Sequence, residues 1–204
     1  MASGEKAGER TAPLKDADIR GPLCDFFEEK YGTVRFFEEL TMGKSRADIV
    51  LVTKDALIGV EIKSDADTYE RLDRQVKDYD RFFDLNYVVA GSSHGLHIRE
   101  HVPAYWGVIT VERAGSKLDL YELAAPAPHK KVRLTNQLEL LWRREFAALQ
   151  AKNGLHKYAG KSRAFVKKYL LEKIPPDQLK AQILAVLRER DYSVFESGEK
   201  TNRL

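Results

Sequence analysis

Apolar residues alternate with the others from Ile58 to Lys63, in the order Ile-Gly-Val-Glu-Ile-Lys. Side chains on a strand repeat every two residues. The spacing therefore predicts a strand with Ile58, Val60 and Ile62 on a core face and Glu61 and Lys63 together on the other. Aromatic, β-branched and apolar stretches predict two earlier strands, at about 34–40 and 47–53. Pairing outward from the midpoint of Lys54-Asp55 sets Asp48 directly across from Glu61, and a four-residue loop over 53–56 has the same midpoint. Directly opposed residues point to the same side of a sheet, with Cβ atoms about 5 Å apart. A symmetric loop over 42–45 likewise sets Glu39 across from Asp48, whereas a slip of one residue there brings Glu38 inward instead. The expectation is a row of three acids, Glu39, Asp48 and Glu61, across three strands.

Helical spacing appears over 17–31, through Ile19, Leu23, Phe26 and Phe27, with Asp16 or Asp18 as a cap and Gly32 as a stop. It recurs over 68–84 through Leu72, Val76, Tyr79 and Phe83. A short apolar run from Asn86 to Gly91 reads as a buried strand, and segments 107–112 and 117–122 read as a hairpin around Ala114-Gly115-Ser116. Helix, three strands, helix, strand and hairpin make an α/β chain with a mixed sheet flanked by helices. The Ala-Ala-Pro-Ala-Pro-His stretch at 124–129 reads as a linker. Helical patterns follow over 135–150, 162–174 and 176–190, forming a bundle or packing onto the sheet. The expected division is a disordered tail (1–14), a core (15–124), a linker (125–134) and a basic helical domain (135–204).

Composition narrows the class. At 43% hydrophobic and 32% charged, the 204-residue chain suits a soluble globular protein. No apolar run approaches the ~20 residues of a membrane helix, and the polar first dozen residues do not read as a signal peptide. The single cysteine, Cys24, forms no intramolecular disulfide, so a reducing cytoplasm is the expected setting. The net charge of +3 hides an asymmetry: from His129 onward there are 17 Lys/Arg against 8 Asp/Glu, a net of +9, and the rest carries −6. A basic back half suits a polyanion held beside an acidic front half.

A row of carboxylates is destabilising unless something positive neutralises it. Lys63 is one counter-charge, and a hard divalent cation is a better one. Mg²⁺ takes oxygen ligands and keeps several waters, which leaves room for a phosphate. Exposed acids and lysines on a strand are also what a solvated face presents, and both readings stand. Lys161, Arg163, Lys167 and Lys168 cluster around one helix start, with Arg143 and Arg144 on another helix. They suit phosphate contacts or, equally, a solvated face. Glu28 and Glu29 read as solvated surface, and His94, His97 and His101 as loop histidines.

These residues resemble the PD-(D/E)XK nuclease superfamily. Asp48 matches the motif's Asp and Glu61-Ile62-Lys63 matches (D/E)-X-K, while Ala47 stands where the name gives Pro. The chain also looks like a bacterial family whose shared pattern includes EIKSD (61–65), Arg71-Leu72 with Gln75, and Phe83-Asp84. Tyr105-Trp106-Gly107 and Leu141-Trp142 with Glu145 belong to the same likeness, which spans most of 17–190. It implies an αβββαβ restriction-endonuclease-like core followed by a C-terminal helical segment, and hydrolysis of DNA phosphodiesters with Mg²⁺ or Mn²⁺. Asp48, Glu61, the Ile62 carbonyl and Glu39 would be metal ligands. Lys63 would orient the water or stabilise the transition state. Gln75 and Tyr79 form a Q-x-x-x-Y pair similar to one that helicase-associated exonucleases of the superfamily carry near their metal site, with Gln75 expected near the metal and Tyr79 in the core. Arg71, Lys161, Arg163, Lys167 and Lys168 would bind nucleic acid. A homodimer that cuts both strands fits the fold, and endo- versus exonuclease stays open. The alternative is an idle nuclease fold kept as a nucleic-acid-binding or protein-interaction module.

Overall fold

The computed structural model describes residues 14–64, 67–91 and 95–191. Six strands form one sheet in chain order: β1 (Arg35–Met42), β2 (Ser45–Val52), β3 (Leu57–Lys63), β4 (Leu85–Gly91), β5 (Gly107–Ala114) and β6 (Lys117–Ala124). The β3–β4 and β4–β5 pairs are parallel and the others antiparallel, so the sheet is mixed, as expected. Helix α1 (Asp16–Tyr31) precedes β1, α2 (Leu72–Phe82) connects β3 to β4, and a short α3 (Gly95–Ile98) lies where a loop was expected. The C-terminal segment holds α4 (Leu134–Gln137), α5 (Arg143–Lys152), α6 (Arg163–Lys173) and α7 (Pro176–Arg188). No described helix is long and apolar enough to cross a membrane. The expected tail, Asp65 of the EIKSD stretch and His94 lie outside the described residues.

Both loop midpoints hold. Ile49 lies opposite Val60 and Leu51 opposite Ile58, while Phe37 faces Val50 and Leu40 faces Ala47. The 53–56 loop lacks Asn-Gly but gains its turn from Thr53, whose hydroxyl accepts the amides of Asp55 (3.2 Å) and Ala56 (2.9 Å). The first hairpin is tighter than expected: Met42 pairs with Ser45, and Gly43 takes φ 57° in the turn between them. Ser45 Oγ donates to Asp78 Oδ2 at 2.6 Å, tying the base of that turn to α2.

The sheet separates two apolar layers. Ile49, Leu51, Ile58, Val60 and Ile62 pack with Ile19, Leu23 and Phe27 of α1. Val50, Val52, Leu57 and Val88 pack with Val76, Tyr79 and Phe83, and in the same cluster with Leu138, Phe146, Leu170 and Ile183. The C-terminal helices thus pack onto the sheet and share its core. This burial also alters the reading of β3. Its second face is covered by α2 and the helices, so Glu61 and Lys63 are only 2% and 8% exposed.

The single helix expected over 135–150 is broken. A 3₁₀ turn (Leu138–Leu140) follows α4, Leu141 is extended, and the chain restarts as α5 because Glu145 accepts the Trp142 amide at 2.6 Å. Gly59 is required by close approach: a Cβ there would lie 2.2 Å from Phe83 Cδ2 and 2.7 Å from Tyr79 Cδ1. Gly59→Ala is expected to destabilise by about 1–3 kcal/mol through overpacking, read as a lower urea midpoint.

Candidate active site

Glu61 projects from β3 toward α2, where it meets three donors. Its Oε1 accepts Lys63 Nζ at 2.7 Å and the Gln75 side-chain amide, and its Oε2 accepts the Tyr79 hydroxyl at 2.8 Å. Lys63 Nζ also donates to Gln75 Oε1 at 3.1 Å, so the amide of Gln75 bridges acid and lysine. Gln75 and Tyr79 are four residues apart on α2, and that spacing brings both to one face. Tyr79 is fully buried, as a core residue should be, yet its hydroxyl belongs to this group. Burial, and next Glu61, push its pKa well above the ordinary value. A carboxylate withdrawn from water needs such partners to remain in the fold.

Asp48 stands beside this ring, bonded to the backbone of the strand that carries Glu61. Glu39 has φ 54°, the one described non-glycine residue with positive φ, and no direct Glu39–Asp48 pair forms. Phe37 and Val50 lie in the same core as Met42 and Ala47, so both strands change faces at the kink. The described β2–β3 register ends at Ile49–Val60, and Asp48 Oδ2 accepts the Ile62 amide at 2.7 Å. Glu39 is drawn elsewhere: its carboxylate is held by Arg20 and, at 2.5 Å, by Arg46. The expected third ligand is thus part of an arginine cluster, and Glu38 joins it through Arg20 at 3.1 Å.

Arg20 was not among the expected site residues. It bonds Asp16 at 2.6 Å and donates to the Asp48 backbone carbonyl at 2.9 Å. Burial opposes its charge, but bonds to Asp16 and Glu39 outweigh this and hold its pKa above the ordinary value. The signal in the sequence was the Asp16–Arg20 spacing of four on α1.

Burial, and next the repulsion of Glu61, push Asp48 up to about 7. Asp16 adds to the push, and the Ile62 amide and Arg20 oppose it. In the unfolded chain an Asp titrates near 3.9. Between these values the folded state holds a proton that the unfolded state has lost. The contribution is therefore full below about pH 4 and is lost as pH rises through about 7. In EDTA, the urea midpoint should fall across that window in wild type and fall less in Asp48→Asn.

Residues 13–199 match the family described as Bacteriophage P4 protein cII. The chain belongs to that family. Searches of curated proteins and of solved structures returned no match. The P4 cII family match runs through both the sheet and the C-terminal helices.

The other expected residues of this P4 cII family chain are not among the partners of Glu61 and Lys63. Arg71 is exposed at the start of α2, four residues before Gln75. Lys167 pairs with Glu139 at 2.7 Å, Lys168 with Glu172 at 3.8 Å, and Arg163 donates to the Glu139 carbonyl at 3.1 Å, while Lys161 is exposed. Glu28 and Glu29 are exposed on α1, and His101 packs against Tyr69 at 4.5 Å. The remaining residues of the family likeness tie elements together. Asp84 accepts the Leu57 amide and Lys180, Asp80 accepts Trp106 Nε1 and Tyr105, and Glu145 pairs with Arg190. Among the described residues no three His, Cys, Asp or Glu side chains are grouped to hold a metal ion.

Proposed function

We propose that this protein is a Mg²⁺-dependent nuclease that hydrolyses DNA phosphodiester bonds. The observation that carries the reading is the Glu61–Lys63–Gln75 ring beside Asp48. The proposed donor set is two carboxylates and, as the resemblance implies, the Ile62 carbonyl. That is short of a full cage but suits an ion that keeps several waters. The mutual repulsion that raises Asp48 is what a cation would relieve. Asp48, Glu61 and the Ile62 carbonyl would hold Mg²⁺ or Mn²⁺, which when bound supplies Lewis acidity and a more acidic water.

The chain's own groups do the rest. Lys63 Nζ, fixed by Glu61 and Gln75, donates to a non-bridging phosphate oxygen as charge builds there. Tyr79 fixes the Glu61 carboxylate from the buried side and keeps water away from it. Arg20 is a positioning residue that acts through the Asp48 backbone. The basic C-terminal half supplies sequence-independent attraction for DNA.

One observation favours the second reading, an idle nuclease fold that binds without cutting: both Glu61 oxygens already have partners within the protein. Nicking of plasmid DNA separates the two. Cutting in Mg²⁺ that EDTA and Glu61→Ala both abolish supports the nuclease. Equal inactivity of wild type and variant supports the binding module. Equal cutting by both places the activity outside this site.

A further inference from the structure

A basic groove lies on the C-terminal helices. Arg143 and Arg144 at the start of α5, Lys157 and Lys161 in the loop after it, and Arg163 at the start of α6 line one groove of about 340 Å³. None of the described residues lining it is acidic. Two of the cations are anchored on neutral carbonyls: Arg143 on those of Ala159 and, at 3.3 Å, Lys161, and Arg163 on that of Glu139 at 3.1 Å. Carbonyl anchors fix the direction of a guanidinium without cancelling its charge. Each Arg carries five N–H donors in a rigid fork, so donors remain for a ligand. Lys157 and Lys161 are exposed. The positive ends of α5 and α6, helices of 10 and 11 residues, add to the potential.

The groove's other feature is aromatic. Tyr158 lines it and packs edge-on against Phe165 and Tyr169, with ring centroids 5.0 Å apart in each case, and His156 lies 4.6 Å from Tyr158. Phe165 is 40% exposed, one of the few large apolar side chains facing solvent among the described residues. Lys161 Nζ lies 5.5 Å from its ring centre. Cations that follow a backbone, beside rings that offer π-faces, are the two requirements for gripping unpaired bases.

We propose that this groove binds single-stranded nucleic acid, with phosphates on the Arg and Lys rim and a base stacked on Phe165 or Tyr158. The inference rests on the proposed function for the choice of nucleic acid as the polyanion, and it narrows the form to single strands. A duplex buries its base faces and leaves the rings nothing to stack on. An acidic peptide or a lipid headgroup supplies charge without a flat base.

Fluorescence anisotropy of the full chain in EDTA tests it, with a labelled oligothymidylate, a duplex of equal length and phosphatidylglycerol vesicles as probes. The single strand should bind about tenfold more tightly than the duplex. Phe165→Leu should weaken it about tenfold without changing the salt slope, and Phe165→Trp should restore it. Lys157→Ala combined with Lys161→Ala should lower the salt slope by roughly 1.4, about 0.7 per lost phosphate contact. Equal binding of single strand and duplex, indifference to Phe165→Leu, or binding of vesicles alone would each overturn the proposal. EDTA removes hydrolysis, so the two readings fail separately. An inactive enzyme that still grips the single strand refutes only the nuclease. A protein that cuts plasmid DNA in Mg²⁺ yet fails the binding test refutes only the groove.

Discussion

Replacing Glu61 with glutamine is expected to slow Mg²⁺-dependent DNA cleavage about a thousandfold, or roughly 4 kcal/mol of transition-state stabilisation. The substitution keeps the shape of the site. A glutamine carbonyl still accepts one hydrogen bond, so the Tyr79 or the Lys63 contact survives. What disappears is charge: the anion proposed to hold the metal and the counter-ion of a lysine only 8% exposed. A second readout is independent of catalysis. Glu61 is the largest charge contribution raising Asp48, so the Asp48 carboxyl should titrate below about 7 in the variant, measured by NMR. Unchanged cleavage would place the chemistry elsewhere. An unmoved Asp48 titration would mean that the two acids do not share a site.

The second large effect concerns the fold. Glu145→Ala is expected to destabilise by about 3–5 kcal/mol, lowering the melting temperature by roughly 10 °C. Arg190 is nearly inaccessible: its guanidinium bonds Glu145 at 2.7 Å and the Leu140 carbonyl at 2.7 Å, and lies over Trp142 and Phe37. Removing Glu145 leaves that charge uncompensated and also removes the cap of α5. The double variant Glu145→Ala with Arg190→Met should recover part of the loss, because the stranded charge is gone. A melting temperature for Glu145→Ala within about 1 °C of wild type would show that this pair does not hold the helices to β1.

The register of β1–β3 was readable because a loop midpoint and a period of two fix the opposed pairs, and this matched β2 to β3 as far as Ile49–Val60; the direct Asp48–Glu61 pair expected next is not among the described pairs, and Asp48 accepts the Ile62 amide instead. The fate of Glu39 was not readable. Alternation assumes an unbroken pleat, and a positive φ at a glutamate leaves no pattern along the chain. Nor did the alternation in β3 reveal that Glu61 and Lys63 face a second core, since their burial depends on helices distant in sequence. The break before α5 was hidden for the opposite reason. Leu138, Leu141, Trp142, Phe146 and Leu149 keep a helical spacing through it, and no proline or glycine marks the interruption. Arg20 escaped notice because two of its partners, Glu38 and Glu39, come from a strand rather than from its own helix.

The bond from Ser45 to Asp78 has a mechanical meaning. The β1–β2 ribbon and α2 are braced against each other at one corner, and Asp48 and Gln75 stand on the two arms that meet there. A braced corner keeps the gap between the arms nearly constant, so on the proposed nuclease reading a phosphodiester would have to fit the opening as built.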